Sequence, residues 1–172
     1  MLLVPRRSIA FLLVFCLLTV CALSSCAPTH ATARELLEAM RSAEKPLPAG
    51  RSYVRCAPQD GEEALTDELL AVIFGNGHLP PEMDEVVDAA VYLSYTHPAE
   101  LAVFRCKSTD GTDAVAAMCL RRLDYLKHHR INLSAEAQTY LERARVTVCG
   151  RWVILAVSSD PDAAMRAVRR AL

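Results

Sequence analysis

The chain is predicted to fold as an α+β domain, an antiparallel sheet with helices packed on one face. Two observations lead there. Two segments of strand-like composition, each folded back on itself, flank a long amphipathic helix. A further helix with strong start signals closes the chain.

The elements follow in order. Residues 34–44 carry Leu36, Leu37 and Met40 at helical spacing, which predicts a short amphipathic helix. Pro46, Pro48 and Gly50 break it. Residues 52–57 suit a short strand or an extended connection. Thr66 is an N-cap for a second helix over 66–74, with Asp67 and Glu68 in its first turn where the helix dipole favours acids. Gly75-Asn76-Gly77 stops that helix, and Pro80-Pro81 forces an extended turn.

Residues 86–95 are rich in Val and Tyr. Residues 101–107 alternate, with Leu101, Val103, Arg105 and Lys107 on one side and Ala102, Phe104 and Cys106 on the other. With the loop Thr96-His97-Pro98-Ala99 between them, they read as a hairpin. Asp110 or Thr112 caps a long helix over 113–129, whose apolar stripe is Val115, Met118, Cys119, Leu123 and Leu126. Ser134 caps a short helix over 135–143. Residues 146–148 and 152–157 form a second hairpin, and Gly150 supplies the positive φ of its turn. The near-continuous apolar run through Val153, Ile154, Leu155 and Val157 marks a central strand. Asp160-Pro161-Asp162 starts the last helix, with an N-cap, a first-turn proline and acids together.

Before this domain lies a leader. Arg6 and Arg7 precede residues 9–23, in which only Thr19 is not hydrophobic. A positive start followed by such a run reads as an export signal. The run is shorter than the ~20 apolar residues of a spanning helix. Arg6-Arg7 also opens a twin-arginine pattern, but Ser8-Ile9-Ala10 does not continue it, which favours the general secretory route. The run ends in Leu23-Ser24-Ser25-Cys26: one apolar residue, two small ones, then cysteine. The order matches a lipobox, at which the thiol receives a diacylglycerol and the chain is cut before it. Cys16 and Cys21 lack the two small neighbours. The alternatives are an uncleaved anchor and a plain signal peptide cut near Ala22 or Ala27. The chain then divides into a lipoprotein signal peptide at 1–25, a tether at 26–33 and a single domain at 34–172. Its expected partner is the membrane, through lipid on Cys26, and its expected location is the extracytoplasmic face.

Composition bounds the rest. The precursor has 19 basic and 20 acidic residues, and the leader removes Arg6 and Arg7 but no acid, so the mature chain is more acidic than the formal −1 of the precursor. No stretch is strongly basic, which argues against nucleic-acid binding. Cys56, Cys106, Cys119 and Cys149 remain beside Cys26. No two lie at a two-residue spacing, so no zinc site is expected. Four cysteines in an exported chain allow disulfides, with three pairings open. The apolar settings of Cys106, Cys119 and Cys149 favour buried free thiols over a disulfide.

Candidate chemistry is sparse. His78 sits in a turn, His97 precedes a proline, and the adjacent His128 and His129 cannot share a helix face. Glu62, Glu63, Asp67 and Glu68 form one acidic group, and Glu82, Asp84, Glu85 and Asp88 another. Paired carboxylates serve glycoside hydrolysis, but solvated faces explain both groups. No serine sits in a Gly-x-Ser-x-Gly elbow. Tyr92 and Tyr95 either line a groove or pack in the core. No catalytic residue, cofactor or metal is assigned.

One resemblance joins these features. Cys26, the run Glu100-Leu101-Ala102-Val103-Phe104-Arg105, the helix after Asp110, Arg145-Val146-Thr147-Val148 with Gly150, Val153-Ile154-Leu155 and the closing helix resemble a family of small Gram-positive bacterial lipoproteins. That family carries a C-terminal domain of unknown function. The resemblance covers about 65–172 plus the leader, and Cys149-Gly150 stands where members often have Asn-Gly. It implies an anchored envelope protein and brings no activity, cofactor or catalytic residue with it. The expected function is a non-catalytic binding or envelope-assembly module with an envelope protein partner. The alternatives are a small hydrolase using His97 and Glu100, and a redox-responsive protein using Cys106 and Cys149.

Overall fold

The computed structural model describes residues 31–44, 46–56, 58–129 and 133–172. Cys26, the leader and most of the tether lie outside them. The order is α1 (Ala33–Ala43), β1 (Gly50–Val54), β2 (Glu62–Ala64), α2 (Asp67–Phe74), a 3-10 turn (Pro81–Glu85), β3 (Val86–Ser94), β4 (Glu100–Cys106), α3 (Thr112–His129), α4 (Ala135–Arg143), β5 (Arg145–Cys149), β6 (Trp152–Val157) and α5 (Pro161–Ala171). The α+β class is as the sequence predicts.

Both hairpins form. β3 pairs antiparallel with β4 through Val91↔Ala102, and β5 with β6 through Cys149↔Trp152. Gly150 opens the two-residue turn of the second hairpin at φ 58°, where a side chain would be strained. β4 also pairs with β6, so the hairpins merge into one sheet of order β2-β1-β3-β4-β6-β5. β1 adds antiparallel to β3, and the three-residue β2 adds parallel to β1 at the edge. The sheet is therefore mixed, though mostly antiparallel.

The expectation of helices on one face needs correction, because both faces are covered. Ala89, Val91, Ala102, Phe104, Val153 and Leu155 point into a core with α2, α3 and α4. Their strand neighbours Ala90, Tyr92, Leu101, Val103, Ile154 and Ala156 point into a second core with α1 and α5. All six residues of β6 are buried as a result. A strand buried on both sides loses the apolar-polar alternation that betrays a solvated face.

Local signals set the helix starts. Thr32 accepts from the Glu35 amide while the Glu35 carboxylate accepts from the Thr32 amide, a reciprocal capping box. Thr66, Ser134 and Asp160 cap α2, α4 and α5 as the sequence indicates, and Pro161 occupies the first turn of α5. α3 differs. It begins at Thr112, whose hydroxyl turns back to donate to the Thr109 carbonyl at 2.6 Å instead of capping. The Pro80-Pro81 segment likewise winds into the 3-10 turn, for which the fixed φ of Pro81 is suited. A register shift at Val86/Asp88 aims the buried Asp88 carboxylate at the start of α1, where it accepts from the Ala33 amide at 2.9 Å. The domain's first helix is thereby fixed to its sheet.

Candidate functional site

The residues that the sequence marks as candidates do not converge; most are consumed by structural contacts. β4 opens with Glu100, whose side chain is only 3 % exposed. Arg122 of α3 reaches it with Nη2 at 2.8 Å and Nε at 3.1 Å from Oε2. Its carboxylate is thus held by two donors of one guanidinium, while the His97 ring lies against Tyr140 with centroids 4.3 Å apart. His78 is exposed in the turn after α2. His128 and His129 hang from the end of α3, bonded to the Asp124 and Tyr125 carbonyls. Among the described residues, no group of three His, Cys, Asp or Glu side chains is arranged to hold a metal ion.

Four acids of the two groups pair with arginines. Glu62 pairs with Arg34, Glu63 with Arg51, Asp67 with Arg55 and Glu82 with Arg121. Glu44, just past α1 and 2 % exposed, has a different role. It accepts from the hydroxyls of Ser158 and Ser159 and from the Asp160 amide, tying the end of α1 to the start of α5. Neither this cluster nor the Arg122–Glu100 pair has a periodic or motif signal, because each joins residues distant in the chain.

The cysteines among the described residues are free thiols. Strand alternation sends Cys106 into the core beneath α3 and Cys149 toward the opposite core, so these two do not form a disulfide in this fold. Cys106 and Cys119 are fully buried, and burial first of all raises both thiols above the ordinary value of 9.0. Nearby Glu85 adds to the rise at Cys106, and Glu100 to that at Cys119. A thiol with a raised folded pKa supports folding fully below the unfolded value and loses that contribution as pH climbs above it. Stability is therefore expected to fall above about pH 9, measured by urea unfolding across pH. The Cys119→Ala chain should show a shallower alkaline slope, and an unchanged slope would contradict the assignment.

An open cleft of about 450 Å³ lies between the second half of α1, the segment entering β1 and the end of β3. Tyr92 forms its wall. The residue is 3 % exposed and its hydroxyl donates to the Pro48 carbonyl. Burial raises the Tyr92 pKa above its ordinary 10.0, against the opposing pull of Arg41. Gly50 is required beside it, since a Cβ there would sit 2.2 Å from the Leu93 carbonyl oxygen and 2.7 Å from the Tyr92 ring. Tyr95, just beyond β3, is 62 % exposed at the rim. The two tyrosines thus meet both sequence expectations, one in the core and both lining a groove.

Arg41 lies over the Tyr92 ring at 5.2 Å and donates through Nη1 to Glu38 at 2.9 Å. Arg51 lies over Tyr95 at 5.8 Å and donates to its hydroxyl at 3.0 Å. Each arginine is braced by a ring and an acid, which fixes its fork in place. Arg41 gave no sequence signal, because its partner Tyr92 lies far along the chain. No family model, curated protein or solved structure matches this chain.

Proposed function

We propose that this protein is a lipid-anchored, extracytoplasmic binding module, held to a membrane through Cys26 and engaging a partner at the cell envelope without turning over a substrate. The leader and the Leu23-Ser24-Ser25-Cys26 sequence support the anchor. Two acyl chains give stable attachment where one is marginal. Among the described residues, no helix is long and apolar enough to cross a membrane.

The observation that carries the reading is the fate of the buried acids. Glu100, Glu44 and Asp88 are each bound to donors that hold the fold together. General acid-base work needs such a group within reach of substrate, and these are spent on packing. The tether adds a geometric consequence. Residues 27–32 span at most about 20 Å when extended, and Ala33 is already fixed to Asp88. An anchor at Cys26 would keep the body near the bilayer surface, where an envelope partner is within reach.

The test is cross-linking in cells that carry the full-length lipidated chain, with the Cys26→Ser chain as control. A discrete adduct that forms with the anchored chain and is lost with the control is expected. No adduct at all, together with steady turnover of a wall or peptide substrate by the purified chain, would contradict the reading.

A further inference from the structure

The geometry points to the Arg41–Tyr92 cleft as a binding site for a carboxylate carried on a compact apolar or aromatic group. The inference deepens the binding-module reading and rests on it. The volume of about 450 Å³ falls within the range of small-ligand sites.

Charge selects the anion. Arg41 has its Nη1 on Glu38, and its Nε is buried with no hydrogen-bond acceptor, above the Tyr92 ring. The Nη2 edge has no acceptor among the described residues, while the side chain remains 38 % exposed. That edge is a donor fixed in direction before any ligand arrives, so little entropy is lost on binding. An arginine fork suits a planar carboxylate. Glu38 and Arg41 are the charged residues of the lining, and their pairing leaves the cleft close to neutral. Such a balance favours a single negative charge over a doubly charged phosphate, which Glu38 would repel.

Apolar surface selects the rest of the ligand. Leu47, Ala49 and the exposed Tyr95 ring line the cleft beside the polar edge. The space beside Gly50 is already filled by the Tyr92 ring and the Leu93 carbonyl, so a ligand ring would rest on the exposed Tyr95. A small aryl acid and the C-terminal residue of a peptide present the same chemistry here: a carboxylate one or two bonds from an apolar group.

The experiment uses the full chain in detergent micelles. Titration calorimetry is run with phenylacetate and with its neutral counterpart phenylacetamide, and the dipeptide glycyl-phenylalanine is compared with its C-terminal amide. Phenylacetate is expected to bind at least tenfold more tightly than phenylacetamide, and the dipeptide more tightly than its amide. If the dipeptide is the tighter of the two acids, the source is a peptide terminus; if phenylacetate is, the source is a free acid. Arg41→Gln should weaken either acid about tenfold, since a charge-assisted bond is lost. Ala49→Trp, which fills the cleft from an exposed position, should abolish binding at an unchanged melting temperature. Equal binding of acid and amide, or undiminished binding by Arg41→Gln or Ala49→Trp, would overturn the assignment. If the acids fail while the envelope adduct still forms, the cleft assignment falls and the binding-module reading stands. If neither occurs, both fall.

Discussion

Replacing Arg122 with alanine is expected to destabilise the domain by about 3–5 kcal/mol, because it strands a charged carboxylate inside the fold. The Glu100 side chain is 3 % exposed and Arg122 11 % exposed, so water reaches neither group well. Their three contacts, at 2.8, 3.1 and 3.3 Å, fix the start of β4 to the middle of α3. For a domain of this size the loss corresponds to a drop in melting temperature of roughly 10 °C. The matched experiment removes both charges. An Arg122→Met, Glu100→Leu chain should recover most of the stability, since apolar residues of similar volume often replace a buried pair at little or no cost. Urea unfolding of the single and double variants measures both effects. A single variant within about 1 kcal/mol of the parent would mean that Glu100 is hydrated, contrary to its burial.

The second large effect is at Cys26. Cys26→Ala removes the thiol to which the diacylglycerol would be attached, and with it the cleavage that depends on that lipid. The expected product is a full-length precursor that runs as a slower band on an immunoblot and carries no fatty-acid label. Each lost methylene contact is worth about 0.8 kcal/mol, so two acyl chains make the difference all-or-none. Equal labelling of parent and variant would place the lipid elsewhere or nowhere.

Much of the fold was legible because it is written locally. Thr66, Ser134 and Asp160-Pro161 mark helix starts through bonds to amides three residues on, and those caps need no tertiary information. Alternation across Leu101–Cys106 and the turn glycine Gly150 likewise define the hairpins. The covering of both sheet faces was harder to read. Its signal was present in the unbroken apolar run of β6, which a one-faced sheet does not require. β2 is not legible in the sequence because Glu62-Glu63-Ala64 has no strand propensity. It is held by pairing with β1 and by Arg34 and Arg51 on its two acids.

The site was less legible than the fold. Tyr92 and Tyr95 could be marked as groove candidates from their places near the end of a strand. Arg41, Gly50 and Glu38 could not, since only the packing of α1 against the sheet brings them to those rings. The same holds for Glu44 with Ser158 and for Asp88 with Ala33, whose partners are far apart in sequence.

The most direct test of a membrane-tethered module is the mass of the N-terminal peptide from protein isolated from native membranes. A peptide that begins at Cys26 and carries the added mass of a diacylglycerol is the predicted result. A peptide that begins at Met1, with the Cys26 thiol unmodified, would contradict it.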